Sequence, residues 1–221
     1  MAKTILTPKQ SQFLELVAGD LKITRHYYLT GGTALAEFHL HHRLSEDIDL
    51  FCETEEVNQT TIEAYLKKVA PKLKIATIQP KVFLGLVSYL LTYTDKTKLK
   101  IDFNYYPFPR IETGKKFLGL SIDSLHDIAT NKLHTIYMKP RSRDFIDLYL
   151  ILRQENYDFK SLVIDAKTKF DWHIDPITLS SQFLRVKDLT ELPTMLIPFD
   201  RAEMEEFYLK MANQLGGQIL K

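Results

Sequence analysis

Asp47-Ile48-Asp49 is where residue type and spacing in this chain most plainly suggest chemistry. In an extended strand, residues i and i+2 project to the same face. Both carboxylates then point one way, about 7 Å apart, while Ile48 and Leu50 face a core. Two like charges held in this manner gain nothing from burial and much from divalent cations placed between them. Hard oxygen donors of this kind suit magnesium shared with substrate phosphates, with two ions expected and manganese as the second choice.

The preceding residues supply what such a site needs around it. Gly31-Gly32-Thr33 follows a strand-like run, Tyr27 to Leu29, and opens a helical run, Ala34 to Leu40. Glycine lets a ligand approach the backbone closely, and a helix N-terminus offers N–H groups and partial positive charge to phosphate. The plainer alternative is a glycine turn with Thr33 as an N-cap. Arg43 and Ser45, in the loop before the acidic strand, are candidates to contact triphosphate oxygens. His26, His39, His41 and His42 invite a zinc reading, but no companion spacing completes a tetrahedral set, so the run reads as a polar helix end. Farther on, Leu99, Ile101 and Phe103 alternate with Lys100 and Asp102. Asp102 therefore lies on the polar face of its strand, either as a solvent-facing residue or as a third active carboxylate.

The combination Gly31-Gly32-Thr33-Ala34-Leu35, then Arg43-x-Ser45-x-Asp47-Ile48-Asp49-Leu50-Phe51, resembles the AbiEii-type nucleotidyltransferases of the DNA polymerase β superfamily. Ser124 to Leu133 (SLHDIATNKL) and Arg141 to Leu150 (RSRDFIDLYL) are similar to that family's second conserved region. The resemblance spans about residues 25–155. It implies that Asp47, Asp49 and Asp102 are metal ligands, with Asp102 also able to take the acceptor's proton. It further implies that Gly31, Gly32, Thr33, Arg43, Ser45 and Lys132 hold a nucleoside triphosphate, and that Asp147, one helix after Lys132, completes the site. The acceptor it implies is a hydroxyl, the 3′ end of transfer RNA foremost. The biological role it implies is a toxin of a toxin–antitoxin or phage-defence system, with an antitoxin encoded alongside. An enzyme acting on a small molecule or a protein hydroxyl, or an inactive nucleotide- or partner-binding module, stays open beside it. For Asp147, an i, i+4 pair with Arg143 is the structural alternative.

Composition bounds these readings. The chain has 221 residues and 45% hydrophobic content, enough for a real core. Lys plus Arg (29) nearly balances Asp plus Glu (28), for a net charge of +1. An RNA acceptor would thus need a local cluster of cations; Lys139, Arg141, Arg143, Lys167 and Lys169 are the candidates. A single cysteine, Cys52, excludes an intramolecular disulfide. The absence of a long apolar run or a leader-like start points to a cytoplasmic protein with no membrane partner.

Periodicity predicts a helix from Thr7-Pro8 to about Gly19, and another from Asn58 to near Pro71. It predicts strands over Leu73 to Ile78, Val82 to Tyr93, Leu99 to Tyr106 and Lys116 to Ile122, with a hairpin turn at Thr94 to Thr97. Helices follow over Leu125 to Tyr137, Ser142 to Arg153, Phe159 to Phe170, Pro176 to Val186 and Asp200 to Leu215. The fold class is α/β (α+β): a polymerase β-like core with a mixed sheet over residues 1–122, and a helical C-terminal region over 123–221.

Overall fold

Thr7 and Pro8 start the first helix, α1 (Pro8–Ala18), as their types dictate. The Thr7 hydroxyl accepts from Gln10 N–H and the Gln10 side chain accepts from Thr7 N–H, a reciprocal cap with proline at the first helical turn. The computed structural model describes residues 4–154 and 158–217. A short helix, α2 (Leu21–Thr24), leads into strand β1 (Tyr28–Thr30).

Helix α3 (Gly31–Leu35) begins directly at the glycine pair, three residues earlier than expected, and continues as a π-helical turn over Ala36–Leu40. Gly31, at φ +71°, takes the chain from strand into helix without a linker. Thr33 is therefore inside the helix rather than its cap. Its hydroxyl donates to the Asp47 carbonyl, tying the helix to the entry of strand β2 (Ile48–Cys52). Helix α4 (Gln59–Leu73), capped by Asn58, runs through Pro71 and ends at Lys74, whose φ of 56° is left-handed.

Two expected strand segments resolve differently. Strand β3 (Ile75–Phe83) turns at Leu84-Gly85 into β4 (Leu86–Tyr93), both turn residues having positive φ, the signature of a two-residue hairpin. Val82 to Tyr93 is thus a hairpin, not one strand. Strand β5 (Lys98–Tyr105) pairs antiparallel with β4, as read from the sequence. Lys116 to Ile122 is likewise a small hairpin, β6 (Lys116–Phe117) and β7 (Leu120–Ile122), turning at Leu118-Gly119.

The result is a seven-stranded mixed sheet in the order β3-β4-β5-β2-β1-β7-β6. β2 runs parallel to β5 and antiparallel to β1, while β1 runs parallel to β7. Pro80 sits in β3, an edge strand, where its missing N–H is tolerated. Ile48, Leu50, Leu99, Ile101 and Phe103 are buried, as are Phe13, Leu14 and Val17 of α1 and Ile62, Leu66 and Val69 of α4. These elements form one compact unit, the described residues of Met1–Pro109 with Thr113–Ser124.

The second unit comprises Arg110–Glu112 and the described residues of Leu125–Lys221. It is helical: α5 (Leu125–Met138), α6 (Ser142–Gln154), α7 (Phe159–Phe170), α8 (Pro176–Leu184) with a 3-10 turn over Arg185–Asp188, and α9 (Arg201–Gly217). Asp158 and Asp175 cap α7 and α8. Phe145, Phe183 and Tyr208 form an aromatic cluster between α6, α8 and α9, with the Tyr208 hydroxyl donating to the Phe145 carbonyl at 2.8 Å. Among the described residues no helix is long and apolar enough to cross a membrane.

Candidate active site

Strand register builds the polar centre of the first unit. Thr30 of β1 is opposite Asp49 of β2; Asp49 is opposite Asp102 of β5; Asp102 is opposite Ser88 of β4. Residues paired across neighbouring strands share a sheet face. Four polar side chains thus form a row across four central strands, with Ile48, Ile101, Leu50 and Phe103 on the opposite face. Neighbouring strands lie about 4.8 Å apart, which brings the Asp49 and Asp102 carboxylates within range of a common ligand.

Asp47 lies one residue ahead of β2 rather than inside it, so strand periodicity alone does not fix its direction. Its position is set by Thr33, which donates to its carbonyl, and by Lys100. The Lys100 ammonium donates to Asp102 Oδ2 at 2.7 Å and to Asp47 Oδ2 at 3.1 Å. Burial lowers the pKa of this ammonium, but Asp102 and Asp47 outweigh that effect and hold it above the ordinary lysine value. Ser88 donates its hydroxyl to the other Asp102 oxygen. Alternation placed Lys100 on the polar face, but only the β2–β5 pairing, which no local pattern encodes, shows that it bridges two of the acids.

The glycine pair fits against this row. A Cβ on Gly31 would lie 3.0 Å from Asp49 Cγ, and one on Gly32 would lie 2.6 Å from Arg43 Nη2 and 2.9 Å from Ser45 Oγ. Gly31, Gly32, Thr33, Arg43, Ser45, Asp47, Asp49 and Asp102 are therefore assembled in one neighbourhood. Arg43 is buried, and its Nη1 donates to the Leu44 carbonyl at 2.9 Å. Gln10 of α1 donates to the carbonyls of Ser45 and Glu46, pinning the loop. Asp123, which sequence reasoning did not single out, is buried beyond Thr30 and accepts its hydroxyl at 2.6 Å.

His39, His41 and His42 lie at the π-helical turn and its end, while His26 is exposed and paired with Glu55. His41 ends the π-helical turn in a left-handed conformation, and His42 is buried. His39 Nε2 lies 3.0 Å from the Asp123 carbonyl, and burial lowers its pKa. Among the described residues, no three or more His, Cys, Asp or Glu side chains converge into a ready-made metal cage.

In the helical unit, Lys132 of α5 is buried, with Nζ 2.7 Å from Asp144 Oδ1 and 2.7 Å from Asp147 Oδ2 of α6. Arg141 reaches the same Asp144 at 2.8 Å. Burial alone would raise the Asp144 pKa; Lys132 and Arg141 hold it below the usual carboxylate range. Asp147 is thus a partner of Lys132, and Asp144 is a partner that the sequence reading missed. Lys169, expected among the exposed cations, is instead buried against Asp127 at 2.7 Å. Asp127 also accepts the backbone N–H groups of Ile111 and Glu112.

Residues 16–215 match the family model described as nucleotidyl transferase AbiEii toxin, type IV toxin–antitoxin system. The chain belongs to the AbiEii nucleotidyltransferase toxin family. It is 27% identical over 212 residues to an uncharacterized protein of Aquifex aeolicus (strain VF5), covering 95% of this chain and 97% of that one. Its fold is similar to that of a protein from H. pylori provisionally classed as a nucleotidyltransferase, with TM-score 0.62, 20% identity, and coverage of 96% and 97%. A second similar structure is JHP933 from Helicobacter pylori, with TM-score 0.59, 21% identity, and coverage of 94% and 90%. The chain is accordingly a nucleotidyltransferase with the mixed α/β architecture of these neighbours.

Membership in this family implies a divalent metal, and the donor set of the sheet suits one. Asp47, Asp49 and Asp102 offer hard carboxylate oxygens, and a cation already joins two of them, with the Lys100 ammonium standing in.

Proposed function

We propose that the row Asp49–Asp102, completed by Asp47, is the catalytic centre of metal-dependent nucleotide transfer from a nucleoside triphosphate to a hydroxyl acceptor, the 3′ end of transfer RNA. The observation that carries this reading is the in-register pairing of Asp49 with Asp102, beside a glycine turn that leaves no room for a side chain. Magnesium held by Asp47, Asp49 and Asp102 would supply Lewis-acid stabilisation of charge on the reacting phosphate and the leaving pyrophosphate.

The protein's own groups do the rest. The first helical turn at Gly31, Gly32 and Thr33 presents backbone N–H groups to phosphate oxygens. Arg43 and Ser45, packed around Gly32, add a guanidinium and a hydroxyl to the same anion. Asp102 receives the proton of the attacking hydroxyl, and Ser88 orients its carboxylate for that task. Within the helical unit, Asp144 and Asp147 fix the Lys132 ammonium, to which the family resemblance gives a phosphate-binding role. An antitoxin partner follows from the toxin–antitoxin family.

Incubating the protein with each α-labelled nucleoside triphosphate, magnesium and total RNA tests this reading. Label in transfer RNA, abolished by a chelator, is expected. Label only in small molecules or in protein would overturn the RNA acceptor.

A further inference from the structure

The Lys100 ammonium contacts two of the carboxylates assigned above to the metal: Asp102 Oδ2 at 2.7 Å and Asp47 Oδ2 at 3.1 Å. The sheet brings these groups near one another. Lys100 and Asp102 are i and i+2 on β5 and share a face, and the pairing of Asp49 with Asp102 carries Asp47 alongside Lys100. The remaining Asp102 oxygen is engaged by Ser88. The Lys100 side chain is 41% exposed, so its flexible four-carbon stem can swing the ammonium out toward water.

We infer that Lys100 is a built-in counter-cation that competes with divalent metal for Asp47 and Asp102. Metal then loads well only when a triphosphate arrives and gives the ammonium another anion to contact. The inference rests on the metal-dependent reading above and adds an order to it: the free protein binds metal weakly, and nucleotide and metal strengthen each other's binding by the same factor. It also gives Lys100 a second use, because the displaced ammonium is left beside the triphosphate that displaced it.

The test is Mn2+ binding to the full chain at fixed pH and salt, read by electron paramagnetic resonance of free Mn2+, without and with a non-hydrolysable triphosphate. Without nucleotide, Lys100→Met should bind Mn2+ at least about tenfold more tightly than wild type, the weight of one charge-assisted hydrogen bond. Lys100→Arg, which keeps the charge, should bind no more tightly than wild type. With nucleotide, the wild-type and Lys100→Met affinities should converge. Circular dichroism melting checks that each variant folds; should Lys100→Met not fold, Lys100→Gln carries the same expectation. Measurable wild-type binding that Lys100→Met leaves unchanged or weakens would overturn the inference while leaving the metal reading intact. No Mn2+ binding by wild type or variant, with or without nucleotide, would overturn both.

Discussion

Gly31→Ala should damage the protein in two separable ways. At φ +71° an L-residue is strained, at about 1–2 kcal/mol. The new Cβ would also lie 3.0 Å from Asp49 Cγ and 3.2 Å from Asp49 Cβ, with the carboxylate oxygen closer still. Forcing a side chain aside in packed surroundings adds about 1–3 kcal/mol. The expected loss is the sum of these, about 2–5 kcal/mol, and each kcal/mol lowers Tm by about 2–4 °C in a chain of this size. Activity should suffer more than stability, because a catalytic group displaced by about 1 Å can lose about a hundredfold in rate. Asp49→Ala removes Cγ and both oxygens, leaving only the milder 3.2 Å approach to Cβ. In that background Gly31→Ala should incur mainly the backbone part, about 1–2 kcal/mol. Urea unfolding of the four proteins completes the cycle. Equal losses in both backgrounds would refute the close packing of Gly31 on Asp49.

Lys132→Ala leaves the buried carboxylates of Asp144 and Asp147 without its ammonium, a loss of about 3–5 kcal/mol, at the low end because Arg141 still holds Asp144; a loss below about 1 kcal/mol by urea unfolding would contradict the cluster. Asp144 and Asp127 titrate below their ordinary values when folded. Their contribution is present above the unfolded value of about 3.9 and is lost as pH falls through the folded values. Asp144→Asn should accordingly flatten the fall of Tm below about pH 4, whereas an unaltered acid slope would argue against the pairing. For RNA, Lys139→Glu with Arg143→Glu should weaken binding and make its salt dependence shallower, by roughly one power of salt concentration for each phosphate these side chains neutralise, without changing triphosphate affinity. Arg141 is left in place because it secures Asp144, and Lys169 because it is buried. Filter binding across a salt series reads the effect, and an unchanged slope would remove these cations from the RNA path.

The parts of the fold that depend on local periodicity were legible in the sequence. Ile48 and Leu50 alternate with Asp49, Leu99 and Ile101 with Lys100, and both strands and their inward faces follow from that. The Thr7-Pro8 start and the Asn58 cap follow from side-chain chemistry. Features resting on one or two backbone dihedrals were not. Leu84 and Leu118 adopt positive φ, which bulky residues rarely do, so two hairpins read as continuous strands; the following Gly85 and Gly119 were the available signal. Nonlocal pairing was hidden as well. Nothing near Lys100 or Asp144 announces that one bridges Asp47 to Asp102 and the other shares Lys132 with Asp147, since parallel register and helix packing decide both.

The most direct test of the Asp49–Asp102 centre is single-turnover label transfer by wild type, Asp49→Asn and Asp102→Asn, each first shown by melting to be folded. The isosteric changes keep size and shape but remove the carboxylate charge and turn one acceptor oxygen into an N–H donor. Wild type should transfer label from a nucleoside triphosphate in the presence of magnesium. Both variants should lose at least about a thousandfold in rate, the upper range for removal of one charge-stabilising group. Near wild-type transfer by either folded variant would contradict the assignment of that residue to the catalytic centre.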